Sequence, residues 1–291
     1  MSDPKVSIIL RSFNEAWALR DTLATLPRQN YKNWELIVFD SGSTDGSVEI
    51  IRAAQPKHFV QLESHAYNPP RVMNQGMCLA ESNYCIFLNA DATPQTENWL
   101  RPLVTPLFDE KTAAVFGRQI PRPDCRAVFA HDYDRCFGPK RESVRWKHFF
   151  SMVSSGVRKD LWAQRGFSEK LQYAEDYEFT WWWKNQGYKI AYCEESVVMH
   201  SHNYTPAQTY KRSFGDARAL AASWNEHPDY YNWLHTVFLG WVWDVRRDLS
   251  FCAKQKRLKE FPHAAKIRWK QRRGTLDGFR QGWMDYRLNG A

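Results

Sequence analysis

Short apolar runs that end in polar residues, each followed by a segment of helical periodicity, recur through the first hundred residues. Residues 6–10, 34–39, 58–62, 84–89 and 113–117 carry the β-branched and aromatic side chains of strands. Between them, residues 16–26, 47–54, 71–81 and 97–108 space their apolar positions as amphipathic helices do. Repeated strand–helix units predict an α/β fold, with a Rossmann-like, mostly parallel sheet flanked by helices. Right-handed crossovers then place the ligand crevice beyond the carboxyl ends of the strands.

The alternation stops at residue 121. Residues 121–147 are rich in Pro, Arg and aromatic side chains and longer than an ordinary connection, which predicts a functional loop or an embedded helix over the site. Order returns at Phe149, with helices expected from Lys159 and over 175–186, and a strand over 188–193. After His202 the pattern is helical to the end, in pieces broken near Pro228, Pro262 and Gly274. The expected domains are therefore 1–205, divided near residue 120, and a helical C-terminal extension over 206–291.

Composition narrows the class without identifying a function. At 291 residues, 43% hydrophobic and 25% charged, the chain is an ordinary globular protein rather than a disordered one. Its longest apolar stretch, residues 233–245, is shorter than the roughly 20 residues of a spanning helix. The opening MSDPKVSIIL lacks the pattern of a secretory signal, so a cytoplasmic protein is expected. Six cysteines without a C-x-x-C pair read as reduced packing residues. The net charge of +8 is local: residues 244–291 hold thirteen Lys and Arg against five Asp and Glu, and the rest of the chain balances. Such a tail meets phosphate as lipid headgroup, nucleic acid or substrate, or is a solvated helical face.

Polar clusters stand where the crevice is expected. The first strand runs into Arg11-Ser12-Phe13-Asn14-Glu15, and the second into Asp40 and the Ser/Gly/Thr turn that contains Ser43. Such a turn aims backbone amides at a ligand, and Asp40 can accept from a ring N–H. Asp45 suits either that role or a helix cap. The fourth strand ends in Asn89-Ala90-Asp91, where the carboxylate either binds a hard divalent cation or caps the next turn. Three acids, Glu175, Asp176 and Glu178, open a helix, where they complement its dipole or divide orientation and proton abstraction between them. His200 and His202 alternate at the end of an apolar run, as a metal-ligating pair or a surface pair. Trp181, Trp182 and Trp183 are adjacent on one helix and so point in different directions; at least one belongs to the core.

Together these segments resemble the family 2 inverting glycosyltransferases with the GT-A fold. The resemblance rests on VSIILRSFNE, FDSGSTDGS, PPRVMNQGM, NAD in place of Asp-x-Asp, AEDYEF and VVMHSHN, which occur in family order over residues 5–203. It implies a nucleotide-sugar-binding part over 1–120 and an acceptor and catalytic part over 121–205. Arg11, Asn14, Glu15, Asp40, Ser43, Arg71, Asn89 and Arg212 are then the donor-site residues. Asp91, with His200 or His202, would bind Mg²⁺ or Mn²⁺, and Asp176 would be the base with Glu175 beside it. One departure matters: Asn89 replaces the first acid of Asp-x-Asp, leaving one carboxylate for the metal. The Gln-x-x-Arg-Trp motif of processive synthases is absent, which favours transfer of a single sugar. NADATP, SHNYT and YKRSFG are similar to bacterial rhamnosyltransferases.

A nucleotide-sugar donor, such as dTDP-rhamnose or a UDP-sugar, and a glycan or lipid-linked saccharide acceptor are the partners this implies. A sugar nucleotidyltransferase would share the layout, but RSFNEAW lacks the Gly- and Lys-rich loop such an enzyme needs. A nucleic-acid-binding protein would use the basic tail and leave the ordered acids unexplained, so no nucleic acid is expected. The tail, with Trp243, Phe251, Phe261, Trp269, Phe279 and Trp283 among its charges, is expected to lie against the anionic inner face of the cytoplasmic membrane; packing of those aromatics into the protein is the alternative.

Overall fold

The computed structural model describes residues 3–63, 67–223 and 232–288. Eight strands form one mixed sheet: β1 (Val6–Ser12), β2 (Trp34–Asp40), β3 (His58–Gln61), β4 (Tyr84–Asn89), β5 (Thr93–Pro94), β6 (Thr112–Ile120), β7 (Ser154–Arg158) and β8 (Lys189–Met199). Their order is β3-β2-β1-β4-β7-β6-β8-β5. The first four are parallel, as expected, and their crossovers are α1 (Ala16–Thr25), α2 (Ser47–Ala53) and α3 (Pro69–Leu79). β1, β2 and β4 are buried over nearly their whole length, so both faces are covered and the sequence reads as continuous apolar runs.

The expected fifth parallel unit is different. β6 does not neighbour β4: β7 inserts between them, antiparallel to both. Residues 97–108 form a shorter helix, α4 (Leu100–Val104), continued by a 3₁₀ turn. The strand expected over 188–193 runs on to Met199 alongside β6, with a register shift between Gly117 and Arg118. Gly117 has no alternative there, since a Cβ would stand 2.6 Å from the Ser196 carbonyl oxygen.

The chain divides into two compact units that are discontinuous in sequence. The first comprises Met1–Ile120, Arg141–Lys170 and Glu175–His200; the second comprises Pro121–Lys140, Leu171–Ala174 and Ser201–Ala291. The Pro- and Arg-rich stretch thus contains an embedded helix, α5 (Ala127–Phe137), which clusters with the C-terminal helices. In the first unit, the sheet carries α4 and two further helices, α6 (Lys159–Gln164) and α7 (Glu175–Asn185).

The second unit is built on α5, α8 (Pro206–Ser223), α9 (Gly240–Lys254) and α10 (Phe261–Leu288). Two of the expected breaks are resolved differently. Pro262 lies in the first turn of α10, where the missing N–H costs nothing, and α10 runs unbroken through Gly274. Gly274, Gly278 and Gly282 face the backbone of α8, with ideal Cβ positions only 2.5, 2.1 and 2.2 Å from the Tyr210, Phe214 and Arg218 carbonyl oxygens. The helices meet backbone to backbone because that stripe has no side chains. The break expected near Pro228 lies outside the described residues.

Most of the tail aromatics pack inward. Phe279 is buried, Trp269 and Trp283 are half-buried, and Phe251 stacks on His131 with ring centroids 4.6 Å apart. Arg268 is buried too. Its guanidinium donates to Asp248 (2.8 Å), Asp132 (2.8 Å) and Gln271 (2.9 Å), and His131 meets Asp248 at 2.6 Å. Burial pushes the Asp248 carboxyl up, but the His131 and Arg268 contacts outweigh it and hold it below the ordinary range. This stabilisation is therefore present above the ordinary carboxylate pKa and is lost as the pH falls through the lowered one. Arg268→Met is expected to destabilise the protein by about 3–5 kcal/mol, because it strands a buried carboxylate. Chemical denaturation near neutral pH checks this, and a loss below 1 kcal/mol would refute it.

Candidate functional site

The register of three adjacent strands assembles one end of the crevice. Ser12 lies opposite Asp40 on β2, and Arg11 opposite Asn89 on β4. Arg11 donates to the Asn89 side-chain oxygen at 2.9 Å. A cleft opens there, lined by Arg11, Ser12, Phe13, Glu15, Ser41, Tyr67 and Asn89. The Ser12 hydroxyl is buried with no hydrogen-bond partner among the described residues, which suits a group awaiting a ligand. Ser12, Phe13 and Ser41 lie in the clusters that the sequence places at the crevice, whereas Tyr67, between β3 and α3, was missed.

The polar loops lock one another in place. Asp40 is fully buried and accepts from the Gly42 and Ser43 amides (3.1 and 2.8 Å) and from the Ser43 hydroxyl (2.6 Å). Ser43 Oγ in turn accepts from the Asn14 amide, and Asn14 Oδ1 accepts from the Thr44 amide, both at 2.8 Å. The left-handed backbone of Asn14, φ 53°, is held by this exchange. Asp45 accepts from Ala16 N–H at the start of α1 (2.9 Å) and from the Ser47 amide and hydroxyl (3.1 and 2.6 Å). Asp45 thus ties the start of α1 to the start of α2, while the N-cap position of α2 is Gly46.

Glu15 sits beside this cleft, half-buried. Its carboxyl is pushed up to about 8, by burial first and by the charge of Asp91 second. The folded protein thus holds a proton that the unfolded chain releases near 4.5, so stability falls as pH rises between those values. Glu15→Gln is expected to raise the melting temperature of the metal-free protein by about a few degrees at about pH 8 and not at about pH 4. Thermal melts in a chelator decide it; equal shifts at both pH values would count against it.

Asp91 and His200 come together although they lie far apart in sequence. Thr93 of β5 pairs with Met199 of β8, which draws the turn after β4 to the end of β8. Asp91 is 1% exposed, and its Oδ2 lies 3.5 Å from Nε2 of His200, itself buried. Gln119 donates to Ser151 Oγ at 2.8 Å, so its amide oxygen faces Nδ1 of His200, at 2.9 Å. That contact puts the proton on Nδ1 and turns the Nε2 lone pair towards Asp91. Two donors on one Mg²⁺ or Mn²⁺ at about 2.1 Å stand about 3.0–3.4 Å apart. The observed 3.5 Å lies just beyond that span, and an oxygen and an imidazole nitrogen so placed are close to the spacing of two ligands on one divalent cation. Gln119 was missed in the sequence; a polar residue at the end of an apolar strand was the available signal. His202 follows two residues on, half-buried, its ring centroid 5.2 Å from that of Tyr204.

The acids of α7 separate into distinct environments. Asp176 accepts from the Met152 amide at 3.1 Å and from the Tyr177 amide at 2.8 Å, one on each carboxylate oxygen. Burial pushes its carboxyl up, opposed by those amides and by the positive charge of Arg11. Glu175 is buried next to it. Glu178 is engaged by Arg165, whose Nη1 donates at 3.2 Å and whose Nη2 also donates, which removes it from the candidates for proton transfer. Trp183 is core at 2% exposure, whereas Trp181 and Trp182 are half-buried.

Two expected donor-site arginines are otherwise engaged. Arg71 opens α3, where the Asn68 side chain accepts from its amide, and its Nε pairs with Glu169 at 3.3 Å. Arg212 belongs to the second unit and donates to the Tyr204 hydroxyl at 2.9 Å.

The sequence pattern described as glycosyl transferase family 2 matches residues 7–164, more than half of the chain. The protein is a family 2 glycosyltransferase. Among its relatives is the O-antigen chain rhamnosyltransferase WbaN of Salmonella anatum, 29% identical in an alignment 224 residues long that covers 72% of this chain and 70% of the relative. The O-antigen chain rhamnosyltransferase RfbN of Salmonella typhimurium matches to the same extent. In fold, the glycosyltransferase is similar to mannosyltransferase PcManGT from Pyrobaculum calidifontis, solved with GDP-Man and Mn²⁺. That similarity has a TM-score of 0.63 at 17% identity, over 99% of this chain and 88% of the other. Glucosyl-3-phosphoglycerate synthase from Mycobacterium tuberculosis gives 0.57 at 15% identity, over 78% and 82%. The fold is GT-A. Among the described residues no helix is long and apolar enough to cross a membrane.

Proposed function

We propose that this glycosyltransferase moves one sugar from a nucleotide-diphosphate sugar to a hydroxyl of a glycan or lipid-linked saccharide, inverting the anomeric carbon. The two O-antigen rhamnosyltransferases support a rhamnosyl donor such as dTDP-rhamnose, with a UDP-sugar the next choice. Residues 1–120 hold the donor in this reading, 121–205 carry the acceptor and catalytic part, and 206–291 form the extension.

The observation that carries the mechanism is Asp176, a carboxylate oriented by two amides, whose pKa burial pushes above the ordinary range. As the acceptor oxygen attacks the anomeric carbon, its proton passes to Asp176. The bond from that carbon to the diphosphate breaks on the opposite face, and the nucleotide diphosphate leaves with the electron pair. No covalent intermediate is required. A raised pKa makes a carboxylate a stronger base. Glu175 is buried beside it.

Arg11, Asn14, Glu15, Asp40, Ser43 and Asn89 shape the donor end, and Phe13 and Tyr67 offer flat faces to a base or sugar ring. Asp91 and His200, with His202 within reach by chain connectivity, are the residues that would hold Mg²⁺ or Mn²⁺. A divalent ion there would neutralise charge developing on the leaving diphosphate. Arg71 and Arg212 would need to leave their present partners to contribute.

The test is a panel of nucleotide sugars with Mn²⁺, read first as thermal shift and then as transfer to a saccharide acceptor. A true donor at 100 times its dissociation constant adds about 2.7 kcal/mol. NMR of the product gives the anomeric configuration; retention would overturn the mechanism.

A further inference from the structure

The segment that begins the C-terminal helices of the second unit is amphipathic in an uncommon sense. Trp233–Leu239 form a π-helical stretch that continues directly into α9. Asp244, Asp248 and Cys252 repeat every four residues on the inward face and are buried. The other side exposes Leu234, Phe238, Leu239, Val242, Trp243 and Leu249, at 50, 41, 46, 44, 61 and 42%. Scattered exposed apolar residues are normal, whereas a row of six along one helical segment is not.

The charges on the same segment are equally one-sided. Its two acids are the buried ones, and both are paired: Asp244 with Arg272 at 2.7 Å and Asp248 with Arg268 at 2.8 Å. Of the charged residues between 232 and 254, the exposed ones are Arg246 and Lys254, with Arg247 half-buried. Among the described residues of this segment, the outward face therefore offers large apolar groups and cations and no anion.

We infer that this face, Leu234 to Lys254, docks on an anionic lipid surface. The apolar side chains enter the boundary between headgroups and acyl chains, and Arg246 and Lys254 meet lipid phosphates. A second copy of the chain fits less well, because among the described residues this segment carries no exposed acid to receive those cations. The contact differs from the one read in the sequence, which also relied on Phe251, Phe261, Trp269, Phe279 and Trp283; these are buried or half-buried. Of the six aromatics only Trp243 serves in both. The inference is independent of the donor, the metal and the base.

Full-length protein is tested by co-sedimentation with vesicles of equal phosphatidylglycerol and phosphatidylcholine, and with phosphatidylcholine alone. Wild type is expected to pellet with the first far more than with the second and to be released by salt. The triple variant Leu234→Ser, Phe238→Ser, Trp243→Ser is expected to lose at least about tenfold in partitioning, while still binding nucleotide sugar with a normal thermal shift. Arg246→Glu with Lys254→Glu, which leaves every apolar group in place, is expected to weaken anionic binding alone. Absence of wild-type binding to anionic vesicles at low salt overturns the inference, as does equal binding to neutral ones. Undiminished binding by the two variants overturns it too. Analytical ultracentrifugation of lipid-free protein supplies the other decisive arm: a dimer that the triple variant dissociates would make the face a subunit interface instead. Failure of sugar transfer with vesicle binding intact would count against the proposed reaction and leave this surface standing.

Discussion

Asp176→Asn lowers turnover by about 10²- to 10⁴-fold and leaves donor affinity close to that of wild type, the range expected when a general base is removed. The substitution keeps the size of the side chain and one oxygen acceptor for the Met152 or Tyr177 amide, so the start of α7 stays in place. The pH profile is the sharper readout. A base acts when deprotonated, so activity falls as pH drops through its pKa. Burial pushes that pKa up, and the acid limb of kcat therefore lies above the ordinary carboxylate range. In Asp176→Asn that limb disappears. Steady-state rates and calorimetry with an unreactive donor analogue check both statements. A parallel Glu175→Gln that abolishes the limb while Asp176→Asn retains it would transfer the role.

Asp91→Asn is expected to abolish the divalent-ion dependence of nucleoside diphosphate binding, weakening it in Mn²⁺ by about 100-fold or more. Outer-shell partners of a metal ligand cost about 10- to 100-fold when removed, and a carboxylate ligand contributes at least as much. With Asn89 already neutral, no second acid of an Asp-x-Asp pair remains. Gln119→Ala provides a graded companion. It frees the His200 ring to take the other tautomer, so affinity for Mn²⁺ should drop by about tenfold with the Asp91 ligand intact. Calorimetry with and without Mn²⁺ measures each; binding that ignores the metal in wild type, or an unaltered response in Asp91→Asn, would refute the assignment.

Much of the first unit was legible in the chain because its information is local. Strands buried on both faces must be apolar throughout, so Val6–Ser12, Trp34–Asp40 and Tyr84–Asn89 announce themselves, and the polar residues that follow are in turn at strand ends. Arg11 and Asn89, which line the cleft, stand where that reasoning places it, since parallel neighbours bring their carboxyl ends together, whereas Asp40 is fully buried.

What the tertiary structure alone decided are the pairings between distant segments. The insertion of antiparallel β7 between β4 and β6, and the β5–β8 pairing that carries Asp91 to His200, depend on the register of strands distant in sequence. Periodicity contains no information about partners. The same holds for charges: Glu178 beside Arg165 and Arg71 beside Glu169 look available in sequence and are engaged in space. Gly274 reads as a helix break because glycine is a poor helix former, yet its missing side chain is what lets α8 and α10 touch. For the basic tail, composition established that aromatic and cationic residues are interleaved, but which of them face solvent follows from how α9 and α10 bury their acids and arginines. Local pattern determines which positions can turn inward; long-range packing determines which ones do.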